Sequence, residues 1–360
     1  MVRSWDNTPN GTMRAITLTS PRATPPTACF TYRTDYPKPS LPNPHFCLVR
    51  IYAIGLNRAE LRARNAEPVS PVEFGIFKEE FQDECPQVLG EEFVGEVVEA
   101  GSNTEFKLGD RVAGWAYGGG KAYDGSYAEF TICHQRRLWK LGEAAKDVPW
   151  AVLGAIPMGL WTAYGALFLA AETKPRDVVF VHGATSSVGL WAILVAKDQG
   201  CYVIATTRQE SKVKKLKDAG ADWVVLDSEL QNPQMIQQIA ATEVQTVLEL
   251  VGLEALENIS MPVTKAGGTV VKCGILGKVW KMSLSAGLVT AKRKLTTFTT
   301  LDEDYDYASR VLQDAVKKVK SGKYNKENFL DSTYNLEDVG LAHQRMEDCA
   351  ACGKVVLLVQ

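Results

Sequence analysis

The first part of the chain alternates short apolar runs with glycine-containing turns. Four such runs are "CLVRIYAIGL", "EEFVGEVVEAGS", "GDRVAGWAY" and "GSYAEFTIC". Runs rich in β-branched and aromatic residues, separated by turn residues at this spacing, are typical of antiparallel strands. We therefore predict a β-rich, barrel-like fold from Met13 to about Lys140.

After Pro175 the pattern changes to strands that alternate with helices. "DVVFVHGA" precedes a helix over residues 189–200, "CYVIATT" precedes "SKVKKLKDAG", and "ADWVVLD", "VQTVLELVG" and "AGGTVVKCGILG" continue the series. This alternation predicts a parallel, doubly wound sheet with right-handed crossovers. A helix at residues 305–321 and a strand at "GKVVLLV" complete the chain. The fold class is α/β with two domains, which suits 360 residues.

The composition and net charge of the chain limit the classes of partner that it is expected to bind. A net charge of −2 with 23% charged residues favours neither a nucleic acid nor an anionic membrane. The first fifteen residues lack the apolar core of a signal peptide. Residues 150–171 carry no charge and approach the spanning length of about 20 residues, but their proline and glycines favour a buried helix. We expect a cytoplasmic protein with no nucleic-acid or membrane partner.

The eight cysteines are scattered and favour a reducing compartment. Cys349 and Cys352 form a single C-x-x-C pair. Half a zinc site or a redox pair is one interpretation, but a zinc site needs four ligands, and the sequence has no second such pair. We favour two incidental thiols before the last strand.

Residues 178–197, "VVFVHGATSSVGLWAILVAK", form a strand, a small-residue turn and a helix. In the dinucleotide fingerprint G-x-G-x-x-G, Ala184 and Ser186 take the first two glycine positions and Gly189 keeps the third. Small residues preserve the turn if their φ is negative, and serine hydroxyls add hydrogen bonds to phosphate beside a helix N-terminus. The predicted pyrophosphate contacts are Ala184, Thr185, Ser186, Ser187 and Val188.

The end of the next strand indicates which dinucleotide binds. NAD sites place an acidic residue there to bind the ribose 2′-hydroxyl, whereas this strand ends at Thr207 without one. Arg208 follows at once and Lys212 lies one helical turn later. Two cations suit a 2′-phosphate, so we predict NADPH, bound by these three residues. The alternative is a solvated basic helix, which "KVKKLK" continues.

At this point the motifs identify a family. The chain resembles, over nearly its whole length, the medium-chain dehydrogenase/reductase superfamily, and within it the zinc-free quinone oxidoreductases of zeta-crystallin and enoyl-reductase type. The similarity rests on the nucleotide loop and on "AIGLNRAEL", "PQVLGEEFVGEVVEAGS", "LGDRVAG", "GSYAEF", "GLWTAYGAL" and "GKVVLLV". It implies a GroES-like catalytic domain, residues 1–149 and 297–360, around a Rossmann NADPH-binding domain, residues 150–296.

The resemblance also implies that zinc is not used. Alcohol dehydrogenases of the superfamily hold catalytic zinc with a Cys, a His and a Cys, and the matching positions here are Asn57, Glu91 and Met158. An amide and a thioether cannot replace two thiolates around Zn²⁺. The cysteine-rich lobe of the structural zinc is absent as well. We expect no metal.

Without a metal, hydride transfer from NADPH needs an acceptor that takes up negative charge itself, such as a quinone or an α,β-unsaturated carbonyl. By resemblance, Asn57 and Thr162 face the nicotinamide, and Ile275 and Leu276 add cofactor contacts. Some enoyl reductases of the family have a proton-donating tyrosine where this chain has Arg62. Arg62 either stabilises an enolate oxygen or is a plain surface arginine.

Other tyrosines are candidate proton donors. They are Tyr117, Tyr123 and Tyr127, of which we retain Tyr117, since Tyr127 in "GSYAEF" is better explained as structural. The acceptor cleft is expected between the domains, lined by Phe77, Trp115, Met158 and Trp280, although any of the tryptophans can instead be core. Residues 65–88 form either an apolar lid or a loop that packs on its own domain.

Three functions remain open. The first is an NADPH-dependent reductase of small hydrophobic quinones or activated C=C bonds. The second is an enoyl reductase of a biosynthetic, polyketide-like pathway. The third is a non-catalytic, crystallin-like NADPH-binding protein. We further expect a homodimer, as the family often pairs Rossmann sheets edge to edge, with residues 267–275 as the edge strand.

Overall fold

The computed structural model describes residues 11–65, 87–115, 119–120, 123–276, 291–300 and 305–360. The strands are β1 (Thr12–Leu18), β2 (Phe30–Pro37), β3 (Phe46–Gly55), β4 (Glu92–Ala100), β5 (Arg111–Trp115), β6 (Phe130–His134), β7 (Leu138–Lys140), β8 (Val178–His182), β9 (Tyr202–Thr207), β10 (Trp223–Leu226), β11 (Val244–Glu249), β12 (Thr264–Lys272), β13 (Lys294–Thr297), β14 (Leu330–Asn335) and β15 (Lys354–Leu358).

The helices connect and cover these strands. The α-helices are α1 (Arg58–Arg64), α2 (Trp150–Leu153), α3 (Pro157–Tyr164), α4 (Ser187–Asp198), α5 (Val213–Asp218), α6 (Pro233–Ala240), α7 (Leu253–Ala255), α8 (Met261–Val263), α9 (Tyr305–Lys320) and α10 (Val339–Glu347). Wider π turns lie at Gly165–Ala170 and Leu256–Ser260, and 3₁₀ turns at Pro26–Cys29, Gln135–Arg137, Glu143–Asp147, Glu210–Lys212, Glu229–Gln231, Lys326–Asn328 and Leu336–Asp338.

Six parallel strands form the sheet of the second half, in the order β10-β9-β8-β11-β12-β13. The strand order reverses between β8 and β11, and ligands of such sheets bind outside the carboxyl ends at this point. Val181, Leu248 and Val271 from three of its strands are completely buried. The predicted doubly wound α/β fold is confirmed.

The β-rich part is a seven-stranded sheet in the order β14-β15-β3-β4-β5-β7, with β6 also paired to β3. β15 comes from near the end of the chain and pairs antiparallel with β3, where Val356 lies opposite Gly55. Residues from both ends of the sequence therefore close one sheet, as the GroES-like architecture requires.

The uncharged segment lies between the two sheets. Trp150–Ala170 is long and apolar enough to cross a membrane by length and composition alone, but 72% of its most apolar 18-residue window is buried within the protein. The indole of Trp191 on α4 donates to the backbone oxygen of Ala155 at 3.0 Å. This segment joins the two sheets through one continuous apolar core.

The prediction that residues 267–275 form the edge of the parallel sheet is wrong. β12 pairs with β11 on one side and with β13 on the other, so β13 is the edge strand within the described part of the chain. Its sequence, "KLTT", has one apolar residue, Leu295, which is 36% exposed. Because a short polar strand lacks the hydrophobic pattern that marks a strand, the sequence does not reveal it.

Candidate functional site

The loop between β8 and α4 makes its turn with a glycine that precedes the fingerprint. Gly183 has a φ of +83°, a conformation that glycine adopts without steric cost, and its amide donates to Thr206 Oγ1 at 3.1 Å. Ala184 lies outside the residues with positive φ, and Ser186 has a φ of −74°. The substitutions in the first two fingerprint positions are therefore accommodated, because Gly183 forms the turn.

Gly189 keeps the packing role of the third fingerprint glycine. A Cβ at this position would lie 2.6 Å from the Cα and carbonyl oxygen of Ala184, a distance that no side chain can occupy. The first turn of α4 thus lies directly against the loop, with its amide groups pointing towards it. A helix N-terminus in this position binds anions such as a pyrophosphate.

The two serines of the loop have different roles. Ser186 Oγ accepts the Gly189 amide at 3.1 Å and donates to the Gly183 carbonyl at 3.0 Å, so it caps α4. This cap occupies the hydroxyl that we expected to bind phosphate. Ser187 Oγ is buried and has no hydrogen-bond partner among the described residues. An orphaned hydroxyl beside a helix N-terminus fits a bound phosphate.

The carboxyl end of β9 is arranged differently from the prediction. Thr207 is buried, and its hydroxyl accepts the Gln209 amide at 3.1 Å. Arg208 is exposed. Lys212 Nζ donates to the backbone oxygens of Cys349 at 2.7 Å and Ala351 at 2.8 Å. Lys212 thus binds the C-terminal segment with two of the three hydrogens of its ammonium, and its role as a phosphate ligand stays a prediction.

The opposite wall of the crevice is formed at the carboxyl ends of β11 and β12. The Leu276 amide donates to the Leu250 carbonyl at 3.1 Å, and a Cβ on Gly183 would lie 3.3 Å from Leu276 Cδ1. Ile275 and Leu276 are half-buried, as are Met158 and Thr162, one turn apart on α3. The structure therefore places Leu276 against the nucleotide loop, and its contact with the cofactor stays a prediction.

A buried acid–base pair, His182 and Glu249, lies at the carboxyl ends of β8 and β11, beside the nucleotide loop. His182 Nδ1 lies 2.8 Å from Glu249 Oε2, and the other carboxylate oxygen accepts the amides of Val251 at 2.6 Å and Gly252 at 2.9 Å. Burial disfavours the charged imidazole, but the hydrogen bond to Glu249 raises the pKa of His182. The sequence analysis missed this pair, whose signal is a polar residue at the end of each apolar strand.

Asn57 is the centre of a buried polar cluster. Its Nδ2 donates to Glu92 Oε2 at 3.0 Å and to the Gly55 carbonyl at 3.2 Å, and it lies 3.4 Å from Met158 Sδ. Its Oδ1 accepts from Lys354 Nζ at 2.7 Å. The carboxamide is thus held on every side, and its orientation is fixed.

Glu92 and Lys354 complete this cluster. Both side chains are 0% exposed and form an ion pair, while Glu92 Oε1 accepts the amide of Met158 at 2.8 Å. Because a buried charge is costly unless it is paired and hydrogen-bonded, the two groups depend on one another. β4 supplies the carboxylate and β15 the ammonium, so the pair joins distant parts of the sequence.

The cluster does not fit a catalytic zinc ion. Zn²⁺ takes thiolate, imidazole or carboxylate ligands, whereas two of the expected ligand positions hold an amide and a thioether. The ammonium of Lys354 already contacts the Asn57 oxygen and the neighbouring carboxylate. Within the described ranges, no group of three His, Cys, Asp or Glu side chains is arranged to hold a metal.

Glu91 occupies the third position that the resemblance matches to a zinc ligand. It lies beside another buried carboxyl group, that of Glu60. Glu60 Oε1 accepts the Glu91 amide at 3.2 Å, and Glu60 Oε2 accepts the Asn57 amide at 2.9 Å. Burial and the nearby carboxylate of Glu91 raise the pKa of Glu60 to about 8. Glu60, next to the residue predicted to face the nicotinamide, therefore holds its proton to a higher pH than an ordinary carboxyl group.

The remaining predicted residues fall into two groups. Phe77, Tyr117 and Trp280 lie outside the described residues, as does most of the segment 65–88. Arg62 is half-buried on α1 and has interaction partners, so its role in stabilising an enolate stays a prediction.

The prediction that Trp115 lines the cleft is wrong. Its side chain is 3% exposed and stacks on Trp139 with ring centroids 3.6 Å apart. Strand β5 directs it into the core, which the sequence alone left as an alternative. Tyr127 is structural, as expected, because it is completely buried with its hydroxyl 2.9 Å from His343 Nε2.

Two family models match the chain. Residues 43–143 match the alcohol dehydrogenase GroES-like domain, and residues 187–314 match the zinc-binding dehydrogenase domain. The quinone oxidoreductase of Pongo abelii is 27% identical over 326 residues, which is 89% of this chain and 91% of that protein. The acryloyl-coenzyme A reductase of Sulfurisphaera tokodaii is 26% identical, over 76% of this chain and 83% of that protein.

Solved structures show the same architecture. A mycobacterial protein in complex with NADPH superposes with a TM-score of 0.76 and 25% identity, over 96% of this chain and 99% of that one. The matched domains, the strand order of both sheets and the similarity to these reductases agree. The chain belongs to the medium-chain dehydrogenase/reductase superfamily of oxidoreductases.

Proposed function

We propose that this protein is a zinc-independent, NADPH-dependent reductase that transfers hydride to a quinone or to the activated C=C bond of an α,β-unsaturated carbonyl. The observation that carries the proposal is the buried cluster of Asn57, Glu92 and Lys354. An ammonium in this cluster supplies the positive charge that a metal would supply in an alcohol dehydrogenase, but it is enclosed by protein groups. An alcohol oxygen therefore has no Lewis acid to bind.

The nucleotide loop supports the cofactor assignment. NADPH, when bound, supplies the hydride. The amides at the start of α4 and the orphaned hydroxyl of Ser187 suit the pyrophosphate, and Gly189 allows the close approach of helix and loop. Arg208 is exposed at the end of β9, where a nearby arginine accommodates a 2′-phosphate. NADPH is accordingly favoured over NADH.

The acceptor must itself delocalise the charge that hydride transfer delivers. Quinones and unsaturated carbonyls do this through their oxygen atoms. Asn57, at the N-terminus of α1, and Met158 on α3 contact each other. Held in place by Lys354 and Glu92, they form a fixed wall that positions the nicotinamide ring. We propose that a small hydrophobic acceptor binds beside this wall.

A second candidate is an enoyl reductase of a biosynthetic pathway. The similarity to acryloyl-coenzyme A reductase favours it, since that name describes reduction of a conjugated C=C bond. A third is a non-catalytic NADPH-binding protein. We extend the proposal to a cytoplasmic homodimer, paired through β13, without nucleic-acid or membrane partners.

The decisive experiment is an acceptor panel. Purified protein is mixed with NADPH or NADH and a series of quinones, enones and enoyl thioesters, and the absorbance at 340 nm is followed with and without a chelator. Chelator-resistant NADPH oxidation with an acceptor supports the proposal, and the preferred acceptor class separates the first two candidates. Saturable NADPH binding without turnover on any acceptor would favour the third.

A further inference from the structure

Four polar groups contact the carboxylate of Glu249, the last residue of β11. Its Oε1 accepts the backbone amides of Val251 at 2.6 Å and Gly252 at 2.9 Å. Its Oε2 lies 2.8 Å from His182 Nδ1 and accepts from the hydroxyl of Ser260. The side chain is 0% exposed. A carboxylate offers about four acceptor positions, so all of them are used, as a buried charged group requires.

The two oxygens of Glu249 hold different parts of the crevice. Oε1 holds residues 250–252, which follow β11 and are called here the β11 turn. Oε2 is anchored by His182, which ends β8 directly before Gly183, and by Ser260, which ends the π turn after α7. The strand order reverses between β8 and β11, where ligands of such sheets bind. One carboxylate therefore joins the two strands and the β11 turn at this point.

The β11 turn packs directly against the nucleotide loop. A Cβ on Gly183 would lie 3.3 Å from Val251 Cγ2 and 3.4 Å from Leu250 Cβ. On its other side the turn contacts the opposite wall of the crevice, because the Leu250 carbonyl accepts the Leu276 amide at 3.1 Å. A shift of the β11 turn would therefore change the distance between the loop and this wall.

The nucleotide loop is held by contacts that do not involve Glu249. The Gly353 amide donates to the Thr185 carbonyl of the loop at 3.0 Å, so the segment 349–353 contacts this loop. The Gly183 amide donates to Thr206 Oγ1 on β9. Loss of the carboxylate should consequently displace the β11 turn and leave the loop in place.

We propose that Glu249 is a positioning residue for the dinucleotide. By holding the β11 turn against the nucleotide loop, it sets the width of the crevice that receives the ribose and pyrophosphate of the cofactor. The inference rests on the proposed function, because it requires that NADPH bind in this crevice. The 2′-phosphate takes no part in this role, so Glu249 should affect NADPH and NADH equally, whereas Arg208 should affect NADPH alone.

Two substitutions separate the hydrogen bonds to the β11 turn from the charge of the carboxylate. Glu249→Leu removes every acceptor, whereas Glu249→Gln keeps one side-chain oxygen with two acceptor positions. The two backbone amides of the turn can only donate, but the Ser260 hydroxyl and a neutral His182 imidazole can each accept instead. The glutamine oxygen should therefore face the β11 turn and hold it as the carboxylate does.

The test is fluorescence titration of both variants with NADPH and with NADH, together with steady-state kinetics. Because two hydrogen bonds to the turn are lost, Glu249→Leu should raise both dissociation constants about tenfold or more, and the cofactor KM should rise more than kcat falls. Glu249→Gln should restore the affinities to within about threefold of the native values. Unchanged affinity in the leucine variant, or equally weak binding in both variants, would overturn the inference.

The matched control is Thr246→Val on the same strand. The buried hydroxyl of Thr246 hydrogen-bonds to that of Thr173 at 2.9 Å, away from the β11 turn. This change should lower the melting temperature and leave both dissociation constants unaltered. A fall in cofactor affinity as large as that of Glu249→Leu would show a general loss of packing and would also overturn the inference.

A measurement on the native protein covers the case in which Glu249→Leu does not fold. Hydrogen–deuterium exchange is followed by mass spectrometry with and without saturating NADPH. NADPH should slow exchange in the peptide that contains the β11 turn and leave exchange in β2 unchanged. Unchanged exchange in the β11 turn, with titration showing NADPH bound, would overturn the inference. If the native protein binds no NADPH, the proposed function fails instead, and the two failures are distinguished.

Discussion

The ammonium of Lys354 lies 2.7 Å from the side-chain oxygen of Asn57, although 297 positions separate the two residues. The same ammonium forms a buried ion pair with Glu92. This contact fixes the carboxamide at the position that the resemblance matches to a zinc ligand of alcohol dehydrogenases. It also ties β15 and β4, two strands of the GroES-like sheet, to the candidate site.

Replacing Lys354 by Met should therefore destabilise the protein strongly. Glu92 would remain buried without its counter-ion, and breaking a buried pair in this way costs about 3–5 kcal/mol. Urea unfolding measures the change in the free energy of unfolding. The matched control is Lys214→Met, whose exposed partner is Asp218 at 2.6 Å, and for which a loss of about 0.5 kcal/mol or less is expected. An equal loss of stability in Lys354→Met and Lys214→Met would contradict the role of Lys354 as the counter-ion of Glu92.

Metal analysis should find far less than one zinc ion per chain, and chelators should leave activity unchanged. The reason is the donor set, in which Asn57 and Met158 replace two thiolates and Lys354 lies within the cluster. Stoichiometric zinc whose removal abolishes turnover would refute the proposal.

Arg208 and Lys212 should differ in their effect on cofactor preference. Hydrogen bonds to charged groups contribute about 1.5–3 kcal/mol, reduced here by exposure, so Arg208→Ala should raise the KM for NADPH about tenfold and leave that for NADH nearly unchanged. Lys212→Ala should instead lower the melting temperature, because two backbone carbonyls lose their donor. Steady-state kinetics with NADPH and with NADH measure the KM values of both variants. An equal loss of NADPH preference in both variants would support Lys212 as a second phosphate ligand.

The neighbouring serines of the nucleotide loop, Ser186 and Ser187, allow a matched pair of alanine variants to be compared. Ser186→Ala removes the N-cap of α4 and should cost about 1 kcal/mol of stability. Ser187→Ala removes a hydroxyl that has no partner in the described part of the chain, so stability should not fall, while NADPH affinity should decrease several-fold. Thermal unfolding and fluorescence titration of both variants provide the comparison. Unchanged NADPH affinity in Ser187→Ala would exclude its hydroxyl from the phosphate site.

Stability should fall as the pH rises from 5 to 9 because of Glu60. Its pKa in the folded protein is about 8, above the ordinary value of 4.5, so the folded state holds a proton that the unfolded chain releases. The contribution is complete below the unfolded pKa and is lost as the pH rises through the folded pKa, by about 1.4 kcal/mol per unit of pKa difference.

The variant Glu60→Gln isolates this effect. It should be less stable at pH 5, by about 1 kcal/mol for one lost hydrogen-bond acceptor, and its stability should depend less on pH. Urea midpoints of both proteins across the pH range give the difference. Parallel pH profiles would show that Glu60 titrates normally.

The fold was predictable because the hydrophobic pattern is local. The strand and helix alternation identified the parallel sheet, and the fingerprint register located its nucleotide loop. The strand β13 was not predicted because its sequence, "KLTT", has only one apolar residue. Gly183 was overlooked as the turn residue, since the fingerprint places its first glycine one position later.

The candidate site was less predictable because its contacts are distant in sequence. Nothing near Asn57 indicates that Lys354 neutralises Glu92. The orientation of the Lys212 side chain depends on the backbone carbonyls of residues 349 and 351, to which its ammonium donates. No pattern around "KVKKLK" specifies these contacts. Trp115 was ambiguous for the same reason, as only its stacking partner decides between core and cleft.

The strand β15 also has a consequence for biosynthesis. Glu92 leaves the ribosome 262 residues before Lys354, so through most of translation its carboxylate has no counter-ion. The strand that pairs with β3 and the segment that contacts the nucleotide loop are synthesised together, after every strand of the parallel sheet. The first domain can therefore close only after the second has been synthesised, and a chain truncated before β15 should be a substrate for chaperones and proteases rather than a partly active enzyme.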